Sequence, residues 1–177
     1  HEVTGEPPHR SIQIRLLLTL VAVFNYDAIY NSSLASTVRA VTILSFLLLT
    51  GYVFAMQKLG GFGYRAVNIH LGALFGTNMA FNVWFRIWPA QQKIITAIKN
   101  GEAPDTALLG LAGLRSKHNT YMSVPLVWTM HNQHHVTAPT ALGIPGEFSW
   151  VLPMLMVILG WHIVWQLYKK SATIKGF

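Results

Sequence analysis

The chain has no cysteine and little charge. With no thiol among 177 residues, it cannot itself form a disulfide, a zinc–thiolate site, an iron–sulfur cluster or a covalently attached c-type haem. Thiol usage therefore says nothing about redox compartment. Charged residues make up 11%, about half the usual share of a soluble domain, and only six residues are acidic. No paired carboxylates, Ser-His-Asp set or phosphate-cradling glycine loop is visible. General acid–base chemistry would have to rest on histidine, Asp27 or Asp105.

Apolar residues dominate what is there. They make up 52% of the chain, and the mean hydropathy is +0.39. The length suits one domain. Formal net charge is +7, but the basic residues sit in short segments between apolar stretches and never alternate with aromatics in a stripe. A membrane protein with basic loops is expected, with lipid as its surroundings and no nucleic-acid partner. The first residue is His, as expected where a targeting segment has been removed or a longer protein precedes. The first ten residues, HEVTGEPPHR, do not form a signal peptide.

The pattern predicts an all-α integral membrane bundle of four or five transmembrane helices, each needing ~20 apolar residues. Spans are expected at about 12–30, 38–56, 66–88, 118–134 and 148–168, within a helical domain covering 12–170. A polar external segment, 1–11, would precede it, and a cytoplasmic tail, 171–177, would follow. Arg15 and Asp27 lie near the ends of the first span. The third span carries Gly72, Gly76, Asn78 and Asn82, small and amide residues suited to helix–helix contact. After it, Ile94, Ile95 and Ile98 are expected to share one face of an interfacial helix, with Lys93 and Lys99 turned to water and GEAP at 101–104 as the break. Pro125 and Pro153 are expected to kink their spans. The tryptophans fall mostly near span ends, where indole favours the interface.

Five spans put Arg39, Arg86, Lys93, Lys99, Arg115, Lys117, Lys169, Lys170 and Lys175 on one side, and Arg10, Arg15, Lys58 and Arg65 on the other. This bias predicts a cytoplasmic carboxyl terminus and an external amino terminus, in a membrane of the bacterial inner type.

That topology sorts the histidines by depth. His118 and His131 stand at opposite ends of the fourth span, 13 residues or roughly 19 Å apart. His70, with His131 or His134, would form an outer imidazole pair, and His118 with His162 an inner one. Two such pairs are what two stacked b-type haems require. The blander alternative is that span-end histidines are interfacial residues and that His162 belongs to an aromatic belt with Trp161 and Trp165. The HNQHH run also offers His131, His134 and His135 as a surface copper or zinc site. Asn78 and Asn82, one turn apart, suit interhelical hydrogen bonding or contact with a substrate or quinone.

Three stretches, HLGALFGTNMAFNVWFRIWPAQQKII (70–95), GEAPD (101–105) and RSKHNTYMSVPLVWTM (115–130), resemble the second half of the membrane domain of PuuD-type urate oxidases (urate hydroxylases). The matching positions are His70, Gly72, Gly76, Asn82, Pro89, Gln91, Arg115, Ser116, His118, Asn119, Tyr121 and Pro125, within residues 60 to 135. The span that in this family ends in a Ser-Asn-His-Tyr-Pro-like sequence here ends in HNQHH. Neither the family's first several spans nor its cytochrome c domain is expected in this chain. The resemblance therefore implies a fold and a redox setting, with electrons leaving through a partner.

Three functions follow as expectations. The first is a small membrane subunit of an electron-transfer complex, with haem b as candidate cofactor and other membrane or cytochrome subunits as partners. The second is a membrane urate oxidase that passes electrons to a separate cytochrome c. The third is a cofactor-free structural subunit.

Overall fold

The computed structural model describes residues 8–32 and 38–174, so most of the expected polar segment 1–11 and the last three residues of the expected tail lie outside the described residues. Among the described residues every regular element is helical, and the chain divides into two units, residues 1–62 and 63–177. In the first unit, α1 (Pro8–Asn31) and α2 (Val38–Lys58) form a helical pair, with Thr19 Oγ1 3.3 Å from the Tyr52 hydroxyl. Val41, Leu49, Val53 and Met56 recur at helical spacing and are buried, whereas Ile43, Leu47, Leu48 and Phe54 are exposed.

The second unit holds α3 (Tyr64–Asn82), α4 (Trp88–Lys99), α5 (Thr106–Asn132), the short α6 (Ala138–Ala141) and α7 (Val151–Ser171). A π-helical turn, Val83–Ile87, joins α3 to α4 without leaving helical backbone geometry. Pro89 accounts for its position. Proline has no N–H to return to the carbonyl four residues back and crowds that carbonyl. The preceding turn widens instead, and the Trp88 N–H reaches back five residues to the Val83 carbonyl. α4 ends in a Schellman cap: Gly101 takes φ +74, the Gly101 N–H bonds Ile98 O at 3.1 Å, and the Glu102 N–H bonds Ala97 O at 2.9 Å. The expected break at GEAP therefore falls where the sequence places it.

α5 differs from expectation. It begins at Thr106, twelve residues before the expected span start at His118, with the Asp105 carboxylate capping the Ala107 N–H at 2.8 Å. Its first turns are held by Ala112 and Leu108 packing on Ala90 and Ile94 of α4. Of the expected isoleucine face only Ile94 is buried; Ile95 and Ile98 are exposed. The longer α5 carries Arg115 off the expected cytoplasmic loop and into the helix pair, where it has no exposed surface.

Among the described residues two segments, Arg39–Lys58 and Gly146–Ser171, are long and apolar enough to cross a membrane. The expected four or five spans thus reduce to two by length and apolarity. α3 carries amides and glycines, and α5 carries Arg115, Lys117 and its histidines, which dilute their apolar character.

Close packing separates the two α3 glycines. A Cβ on Gly72 would stand 2.8 Å from Thr129 Oγ1, whereas one on Gly76 would meet nothing within 4 Å. On α7, a Cβ at Gly160 would lie 3.1 Å from Pro125 Cδ, so the proline ring of α5 beds on bare backbone. Pro153 falls in the first turn of α7, where its missing N–H disrupts no intrahelical bond. Gly72→Ala should therefore destabilise the second unit by about 1–3 kcal/mol, as overpacking does, while Gly76→Ala should be neutral or slightly stabilising. Thermal unfolding of the two variants in detergent checks this, and equal midpoints would contradict the packing.

Candidate functional site

α3 and α5 run antiparallel and pair through a polar seam. On α3, Tyr64, Asn68, Leu71, Phe75, Asn78 and Asn82 are buried at alternating steps of three and four; on α5, Arg115, Met122, Thr129 and Asn132 are buried. Near one end the Asn132 amide donates to the Tyr64 hydroxyl. Near the other, Arg115 Nη1 donates to Asn82 Oδ1 at 3.3 Å, and Asn82 Nδ2 donates to Asn119 Oδ1 at 2.9 Å. Asn119 Nδ2 then donates to the Met79 carbonyl at 3.1 Å. One guanidinium and two carboxamides thus form a chain anchored on α3 backbone, immediately before the π turn.

This cluster gathers three of the family-motif residues, Asn82, Arg115 and Asn119. Pro89 sets the π turn beside it, and Gln91 is half-buried on α4. Tyr121 lies on another face of α5 and stacks on Tyr168 of α7, ring centroids 6.0 Å apart. Ser116 is exposed. The expectation that Asn82 serves interhelical hydrogen bonding matches its position. Asn78 is buried too, but its Oδ1 finds no hydrogen-bond partner among the described residues.

The histidines are spread along the helices. The offset that puts Asn82 beside Asn119 and Gly72 beside Thr129 also puts His70 level with His131. The His70 ring bonds the Ala66 carbonyl through Nδ1 at 2.8 Å, so Nδ1 donates and the lone pair sits on Nε2. His131 is exposed, its ring centroid 5.2 Å from that of His135, and His134 is exposed as well. Among the described residues, no three His, Cys, Asp or Glu side chains gather as a metal-holding group, so His131, His134 and His135 do not converge.

His118 and His162 are not level. Gly160 sits against Pro125 and Val124, which sets His162 about five residues, roughly 7 Å of axial rise, from the level of His118. His162 is exposed, lies 5.6 Å centroid to centroid from Trp165, and its Nε2 accepts from the Gln166 amide at 3.2 Å.

Sequence reasoning passed over Tyr64 and Asn132. The signal is present in the sequence: 115, 119, 122, 129 and 132 repeat at helical spacing, with Asn132 set among imidazoles. An open, mainly apolar depression of about 410 Å³ at the start of α3 is lined by Gly63, Tyr64, Arg65, Ala66, Ile69 and Val136, and it assembles no catalytic set.

Removing Asn82 would strip an acceptor from a wholly buried guanidinium and a donor from Asn119. Asn82→Leu should cost about 3 kcal/mol, whereas Asn100→Leu, at an exposed position, should stay within about 0.5 kcal/mol of the parent. Denaturation midpoints in detergent compare them. A fully stable Asn82→Leu protein would mean that the cluster is not needed to hold α3 on α5.

A model of the urate oxidase N-terminal family matches residues 2–175. No curated protein and no solved structure matches the chain. The family match extends well past the 60–135 stretch on which the resemblance was read and reaches both helical units. With nearly its whole length matched, the chain belongs to the urate oxidase N-terminal family.

Proposed function

We propose that the chain is an integral membrane protein of the urate-oxidising type, with Arg115, Asn82 and Asn119 as its anion-recognising centre. The membrane part is supported by an inverted distribution of side chains. Asn68, Asn82, Arg115, Thr129 and Asn132 are buried, while Val127, Leu155, Ile158, Ile163 and Leu167 face outward. Water selects the opposite arrangement, and lipid selects this one.

The depth of the second unit follows from its aromatics. Trp84, Phe85, Trp88, Tyr121, Trp165 and Tyr168 all fall near the level of the π turn, as an interfacial belt does. From there, α3 runs 19 residues to Tyr64, about 28 Å, close to the ~30 Å of a hydrocarbon core. Beyond the belt, α4 and the turn that joins it to α5 carry the exposed Lys93, Lys99, Glu102 and Asp105 into water.

The observation that carries the functional reading is a wholly buried arginine, bonded to Asn82, which Asn119 in turn orients, beside a π turn and inside the region matched by the family. Urate is a planar anion bordered by carbonyl oxygens, and a guanidinium flanked by carboxamides offers donors suited to it. Hydroxylation joins the urate monoanion to one water and releases one proton and two electrons. Those two electrons need an acceptor, for which a cytochrome is the expected class. With Arg115 fully enclosed, substrate contact requires the π turn to open. In membranes containing the chain and an added one-electron acceptor, urate should be consumed. Arg115→Lys should slow this by on the order of 10²-fold, the loss usual when one positioned donor is removed, with helicity by circular dichroism unchanged. A folded Arg115→Lys protein with the parent rate would remove the cluster from the chemistry.

One observation favours a second reading, a b-type haem held by His70 and His131. Their shared level is joined by the His70 Nδ1 bond to Ala66 O, the backbone anchor that orients a ligating imidazole. A reduced-minus-oxidised spectrum should then show one haem per chain, lost in His70→Ala. A colourless protein would end that reading. If it also consumed no urate, the cofactor-free structural role would remain.

A further inference from the structure

We propose that Lys117 and Lys169, displayed on neighbouring aromatic rings, bind the phosphate headgroup of an acidic phospholipid. The inference rests on the membrane reading above and goes beyond it by naming a lipid class and a site. The Lys117 ammonium lies 4.9 Å from the centre of the Tyr168 ring, and the Lys169 ammonium 5.1 Å from the centre of the Trp165 ring. Trp165 and Tyr168 are three residues apart on α7 and so share a face, which makes the two cation–ring pairs adjacent.

The patch is built from two helices. The Tyr168 hydroxyl donates to Thr120 Oγ1 at 3.1 Å, and the Tyr168 ring stacks on Tyr121, so α5 fixes the ring that carries the α5 lysine. Both lysines are exposed, and Trp165 and Tyr168 are 46% and 37% exposed, so the face is open to a ligand. Among the described residues neither lysine forms an ion pair, and the three described acidic residues of this unit, Glu102, Asp105 and Glu147, lie on other segments. Lys170 adds a further positive charge at the same helix end.

Position selects the ligand. Lys169 lies at the end of the segment Gly146–Ser171, which is apolar enough to cross a membrane, and Lys117 reaches the same end from α5 through the Tyr168 ring. Rings at that depth meet acyl chains and glycerol, while ammonium groups above them meet phosphate. A zwitterionic headgroup brings its own cation to such a patch, whereas an acidic headgroup leaves a net charge for both lysines to share.

The test places the full chain in bilayers that carry a fixed fraction of brominated lipid, either phosphatidylglycerol or phosphatidylcholine, and follows tryptophan fluorescence. Brominated phosphatidylglycerol should quench more strongly, with an apparent local enrichment on the order of tenfold for two lysines. The excess should vanish in Lys117→Gln/Lys169→Gln and in Trp165→Phe, and millimolar inorganic phosphate should leave it intact. Equal quenching by the two lipids would overturn the lipid site while leaving the membrane reading standing. No quenching by either would overturn both. Loss of the excess to inorganic phosphate would reassign the patch to a soluble anion and overturn the proposal.

Discussion

A guanidinium with no exposed surface is tolerated only if its surroundings supply acceptors, and in the second unit this requirement governs how α3 meets α5. Arg115 finds its acceptor in Asn82, Asn82 is oriented by Asn119, and Asn119 is tied to the Met79 carbonyl. Leaving such a group without partners costs far more than the bonds contribute when made. The chain of bonds therefore admits one register. Slipping α5 by one residue would rotate Arg115 by about 100° away from Asn82. The same register brings Gly72 under Thr129 and Tyr64 to Asn132, so the close approach and the second polar contact follow from the first.

The π turn belongs to this arrangement. Pro89 forces the helix to accommodate a missing N–H, and the extra residue in the turn shifts the phase of everything after it. Asn82 precedes the shift and faces Arg115, while Ala90 and Ile94 follow it and pack on Ala112. α3 and α4 thereby both present inward faces to one long α5.

Much of this was legible from sequence. The all-helical class, the break at GEAP and the interhelical role of Asn82 could be read from apolar runs, turn residues and amides. The start of α5 could not. Residues 106–117, TALLGLAGLRSK, read as a loop because two glycines and two basic residues interrupt the apolar count. What makes them helical is the packing of Leu108 and Ala112 on α4, which no local pattern shows. The same interruption places Arg115 on a loop and hides the largest fully buried side chain among the described residues. Depth along the spans is harder to read: counting residues pairs His118 with His162, whereas the contact of Gly160 with Pro125 fixes a register that offsets them by about five residues.

The level of Arg115 links that packing to chemistry. An arginine at the centre of a bilayer would be costly, but near the aromatic belt the charge lies within reach of water and the cost falls. In the membrane placement proposed here, Arg115 stands at this boundary, behind the π turn and beneath the hydrated α4–α5 hairpin. A soluble anion could approach from water without entering the hydrocarbon core. The barrier to contact would then be local, set by the turn that Pro89 imposes and by the bonds of Asn82 and Asn119. The groups that hold the helices in register would be the same groups that must yield for an anion to be bound, which couples stability and binding at one position. Weakening the Asn82 contact should therefore ease access to Arg115 while loosening the helix pair that presents it.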